Sequence, residues 1–97
     1  MRVIHIVKGK VPPSKIDSFE TSYEVLRHRS KPAGWMRSSL LRDSKKAGVY
    51  LIEAVWEDWE SYENMICSVP RPTPSELFKN VGVIPTIEVF EVTQNIP

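Results

Sequence analysis

Apolar side chains fall into short β-branched runs and two helix-spaced stripes. Val3, Ile4, Ile6 and Val7 predict a strand over residues 2–8 with apolar groups on both faces. Lys8-Gly9-Lys10-Val11-Pro12-Pro13 breaks it. Ser14 follows as a helix N-cap, with Asp17 three residues on. Ile16, Phe19, Tyr23 and Leu26 recur at helical spacing. Asp17, Glu20 and Glu24 lie early in that helix and Arg27, His28, Arg29 and Lys31 late, as the helix dipole favours. Pro32 and Gly34 end it. Residues 35–42 and 49–57 read as strands joined by a polar turn, an antiparallel hairpin. Asp58 caps a second helix running to about Ser68, with Trp59, Tyr62, Ile66 and Val69 as its stripe. Pro70, Pro72 and Pro74 stop it. Thr73-Pro74-Ser75-Glu76 has the form of a capping box, opening a short helix through Leu77 and Phe78 that ends near Gly82. The last strand runs from Thr86 to Thr93.

The order β-α-β-β-α-β, with one extra short helix, predicts an α+β, ferredoxin-like domain over residues 1–97. Its antiparallel sheet carries both main helices on one face. A sheet covered on one face should alternate apolar and polar. Here Tyr50, Ile52, Ala54 and Trp56 take one face of the third strand. Val49, Leu51 and Val55 take the other, with Glu53 between. The last strand splits likewise into Ile87 and Val89 against Phe90 and Val92. Two apolar faces with helix for only one predict a homodimer in which two sheets pack together. A monomer with scattered surface apolar groups is the bland alternative.

Composition narrows the function classes. The chain has 97 residues, 13 basic and 12 acidic, for a net charge of +1. That balance lacks the basic footprint of a nucleic-acid binder. Cys67 is the only cysteine, so neither an internal disulfide nor a cysteine-rich zinc site can form. No stretch reaches the roughly 18 apolar residues of a membrane span. The N-terminal apolar run is too short and interrupted for a signal peptide, so the expected compartment is the cytoplasm. No metal-ligand spacing, phosphate-cradling loop or Ser-His-Asp arrangement emerges.

Four segments carry a resemblance. They are Val3-Ile4-His5-Ile6-Val7-Lys8-Gly9-Lys10-Val11-Pro12-Pro13, Pro32-Ala33-Gly34-Trp35, Glu53-Ala54-Val55-Trp56-Glu57-Asp58 and Ile84-Pro85-Thr86-Ile87-Glu88-Val89-Phe90-Glu91-Val92. In this order and spacing the chain resembles the antibiotic biosynthesis monooxygenase family, of the dimeric α+β barrel superfamily. The resemblance implies a homodimer of ferredoxin-like subunits. It also implies oxidation of polycyclic phenols or quinols by molecular oxygen with no cofactor, or, in another branch, heme cleavage. Many members carry a histidine in the second helix where this chain has Met65, in Asn64-Met65-Ile66-Cys67-Ser68. No histidine follows His28, which argues against a heme-ligating imidazole of the usual kind.

Cofactor-free oxygenation needs a dry aromatic pocket, a base or donor, and polar groups facing oxygen. His5, in phase with Val3 and Val7, is a candidate base or donor near neutral pH. A structural histidine is the commoner case. Glu53, interrupting an apolar face, is a second candidate base, with an intersubunit salt bridge as its alternative. Tyr50 and Trp56 share a strand face and are candidate pocket walls, though core packing is the usual fate of such aromatics. Trp35, just after a turn, is placed at a rim or interface, and Trp59 in the core. Arg37 and Arg42 lie on opposite faces of the second strand; either is a candidate for steadying an anion, Arg37 being taken into the substrate-binding set, though an exposed strand arginine is the commoner case. Asn64 and Met65 complete the substrate-binding candidates. Two functions fit this set. One is a cofactor-independent monooxygenase acting on a quinol or polycyclic phenol. The other is a non-catalytic homodimeric module that binds an apolar small molecule or a protein partner. An isomerase or cyclase on the same fold ranks third.

Overall fold

A computed structural model describes residues 1–67 and 74–97. The elements are β1 (Val3–Lys10), α1 (Ile16–Leu26), β2 (Trp35–Arg42), β3 (Val49–Trp56), α2 (Trp59–Cys67), α3 (Pro74–Lys79) and β4 (Thr86–Glu91). The sheet order is β2-β3-β1-β4, and each strand runs antiparallel to its neighbours. This is the ferredoxin-like arrangement, and buried contacts place all three helices on one face. Among the described residues no helix is long and apolar enough to cross a membrane.

Several boundaries differ from the sequence expectation, each for a local reason. β1 does not stop at Lys8 but continues through Gly9, opposite Tyr50, to Lys10. Gly9 serves the strand because a Cβ there would lie 2.7 Å from Phe78 Cδ1. Ser14 does not cap α1. It sits in a 3-10 turn over Pro13–Lys15 that the two fixed proline φ angles initiate, and Lys15 takes the N-cap position with no side-chain cap. Asp58 does cap α2, its Oδ1 accepting from Ser61 N at 2.8 Å. The expected end of α2 at Ser68, Val69 of its stripe and the Thr73 capping box lie outside the described residues. Trp59 and Ile66, expected in the core, are exposed. The inward face of α2 is instead Tyr62 and Met65, one turn apart.

The core under the helices is split. One cluster joins Val7, Val11, Tyr50 and Ile52 to Phe19 of α1 and to Leu77 and Phe78 of α3. The other joins Val3, Ala54 and Trp56 to Tyr62 of α2. Along β1 the side chain between Val3 and Val7 on this face is His5.

Gly34 fixes the entry to β2. Its φ is +83°, and a Cβ would run into the Ser61 side chain. Its carbonyl also accepts from Glu57 N at 2.7 Å. Gly34→Ala is expected to destabilise the fold by about 2–3 kcal/mol, from the left-handed backbone and the overlap together. Thermal unfolding should show this as a midpoint roughly 10–20 °C lower.

Candidate functional site

The cavity lies between the two halves of the core. Its volume is about 700 Å³, within the range of small-molecule sites. One cross-strand row forms its floor. Ser38 of β2 pairs with Ala54 of β3, which pairs with His5 of β1. Small or polar side chains in this row leave space where the rows on either side fill it with Ile52 and Val7, or with Trp56 and Val3. Tyr23 and Leu26 of α1 and Met65 of α2 also line the space. The Tyr23 hydroxyl donates to Ser38 Oγ at 2.9 Å, tying α1 to the floor.

His5 is the titratable group in that floor. It is 7% exposed, and its ring centroid lies 5.4 Å from that of Tyr62. No hydrogen bond to the His5 imidazole forms among the described residues. Burial pushes its imidazole below the ordinary value of 6.5, so it is neutral at pH 7. The unfolded chain therefore binds the extra proton first on acidification. The stabilisation from a neutral, buried His5 is fully present above pH 6.5 and is lost as pH falls below it, towards the folded-state value. Urea midpoints measured on either side of pH 6.5 should fall on the acid side, and His5→Phe should flatten that fall.

Trp35 and Trp56 wall one end of the cavity. A β-bulge between Trp35 and Arg37 leaves Met36 without a partner and sets Trp35 directly opposite Trp56. Without it, Trp35 would share a face with Arg37. Trp56 Nε1 is buried and has no acceptor among the described residues. A buried donor left unpaired costs about 1–3 kcal/mol.

The other sequence candidates are placed elsewhere. Tyr50 shares the face of Trp56 but stands six residues along the strand, roughly 20 Å away. It packs on Phe19 in the first core cluster. Its hydroxyl donates to the Glu20 carboxylate, which together with burial raises its pKa above the ordinary 10.0. Glu53 faces the opposite side of the sheet from His5, since it pairs with Ile6 and His5 pairs with Ala54. There it accepts from Arg37 Nη1 at 2.8 Å within the same chain. Asn64 is exposed and does not line the cavity. The structure thus brings together His5, Trp35, Trp56 and Met65, and sets Glu53, Arg37, Tyr50 and Asn64 apart.

Sequence reasoning passed over Tyr23, Ser38 and the cations at the cavity mouth. Tyr23 could have been found as the one hydroxyl on the apolar stripe of α1. The helix dipole accounts for Arg27, Arg29 and Lys31 in the sequence, but all three also line the cavity. Among the described residues no cluster of three or more His, Cys, Asp or Glu side chains could hold a metal ion.

No family model and no curated protein sequence matches the chain. Solved structures do. The heme-degrading protein Rv3592 of Mycobacterium tuberculosis, in a heme-free form, superposes with a TM-score of 0.75 at 19% identity, over 100% of both chains. SnoaB of Streptomyces nogalater, a cofactor-independent oxygenase, gives 0.67 at 19% identity, over 99% of this chain and 97% of its own. A Caulobacter crescentus protein, provisionally assigned as an antibiotic biosynthesis monooxygenase, gives 0.70 at 18% identity, over 96% and 91%. At such identities the likeness is one of fold, and the chain carries the antibiotic biosynthesis monooxygenase fold.

Proposed function

We propose that this protein is a cofactor-independent monooxygenase that oxidises a quinol or polycyclic phenol with molecular oxygen, acting as a homodimer in the cytoplasm. The observation that carries this reading is a neutral imidazole, without a hydrogen bond among the described residues, in the floor of an aromatic-walled cavity. His5 takes the phenolic proton as the substrate binds between Trp35, Trp56 and Met65. The phenolate passes one electron to oxygen, and the resulting radical pair joins as a peroxide on a ring carbon. His5 returns its proton to the outer peroxide oxygen. Water then leaves with that oxygen and the ring hydrogen, giving a quinone. One oxygen atom enters the ring and the other leaves as water, so the step needs no outside reductant.

The likeness to SnoaB supports the reaction class. Heme, which the mycobacterial neighbour degrades, is the less favoured substrate. The cavity offers one imidazole, on β1, and the sequence holds no histidine beyond His28. A second reading, a binding module without chemistry, is favoured by Met65. It lines the cavity at the position where the resemblance places a histidine in many members, so His5 is the only imidazole there.

Oxygen uptake with a panel of naphthols and hydroquinones separates the two. The expected result is consumption of one O2 per quinone formed. Binding of the same compounds without uptake would establish the binding module instead.

A further inference from the structure

The cavity mouth carries a feature that apolar binding does not require. Lys31 is held in a defined place. Its ammonium donates to Leu26 O at 2.7 Å, which also accepts from Arg29 N, and to Arg27 O at 3.4 Å, both carbonyls at the end of α1. It sits 5.2 Å from the centroid of the Trp35 ring, which walls the cavity. An ammonium has three donors, and these carbonyls use two.

Arg29, also at the mouth, forms no ion pair or side-chain hydrogen bond among the described residues. Of the two carboxylates that also line the cavity, Glu24 is neutralised and Glu20 keeps its charge. Glu24 pairs with Arg27 at 3.0 Å, and Glu20 accepts from Tyr50. The lining thus carries three cations against two carboxylates, with Lys31 positioned over the Trp35 ring and Arg29 without an ion pair among the described residues. The floor, by contrast, holds no charged group.

We infer that the ligand of this cavity is a flat aromatic acid, its carboxylate held at the mouth by Lys31 and Arg29 and its rings lying inward from Trp35. This rests on the reading of the cavity as a site for an aromatic small molecule. The charge pairing fixes which end of the ligand enters, so the ring edge away from the carboxylate reaches the floor beside His5. A guanidinium can grip a carboxylate with two parallel hydrogen bonds, and the anchored ammonium adds a charge-assisted third.

Calorimetric titration with 6-hydroxy-2-naphthoate and its neutral amide, 6-hydroxy-2-naphthamide, tests this. The acid is expected to bind about tenfold more tightly at low salt, with the gap narrowing as salt screens the mouth. Exchanging both cations, as Lys31→Met with Arg29→Gln, should weaken the acid at least about fivefold and leave the amide within about twofold. Equal affinity for acid and amide in the unaltered protein would overturn the inference, as would equal weakening of both by the double exchange. If neither compound binds, the reading of the cavity as an aromatic site fails first and takes this inference with it.

Discussion

His5→Phe is expected to lower kcat/KM for phenol oxidation by about 10²–10⁴-fold, the usual contribution of a positioned general base. Phenylalanine keeps a ring against Tyr62 and suits the buried position, so the loss reports chemistry and not collapse of the floor. Circular dichroism should show an unchanged fold. His28→Gln is the control. His28 is exposed and does not line the cavity, so its exchange should leave the rate within about twofold. The pH profile gives a second readout. Burial lowers the His5 pKa, so the base is present at and above pH 6.5. The rate should fall only at lower pH, as the imidazole takes up its proton, and this acid limb should vanish in whatever activity His5→Phe retains. Full activity in His5→Phe would remove His5 from the chemistry.

The element order could be read from the sequence because each element carries a strong local pattern. The stripe Ile16, Phe19, Tyr23, Leu26 could only be helix, and β-branched runs between turn residues could only be strand. The site was less legible, because it depends on register. Ser38, Ala54 and His5 become one row only once β2, β3 and β1 are aligned. The bulge at Met36 decides that Trp35 enters the cavity, and no residue in Trp35-Met36-Arg37 announces it. Strand parity correctly separated the two faces, but it carries no position along the strand. Parity groups Tyr50 and Trp56 by face although six residues of β3 separate them. Glu53 and His5 were paired as bases because both are titratable groups in apolar strands, although their positions in paired strands put them on opposite sides.

A double exchange, Leu41→Glu with Phe90→Glu, is expected to raise the dissociation constant of the proposed homodimer by about 10³-fold or more, leaving monomers at micromolar concentration. The helix-free face is not uniformly apolar. Register places Leu41 beside Leu51, Ile6 on the next strand, and Val55, Ile4 and Phe90 along the following row. These residues form a diagonal band across the sheet. Leu41 and Phe90 lie at its two ends, 43% and 47% exposed. Beside the band, Arg37 and Glu53 neutralise each other at 2.8 Å, so covering them does not bury a lone charge. Ile87 and Val89 are also exposed, but they share the face of Val7 and His5 and lie outside this contact. In a two-fold dimer each substitution occurs twice, so four carboxylates would be forced into an apolar contact. Sedimentation equilibrium should give twice the chain mass for the unaltered protein and the chain mass for the variant. A monomer before any substitution would defeat the homodimer.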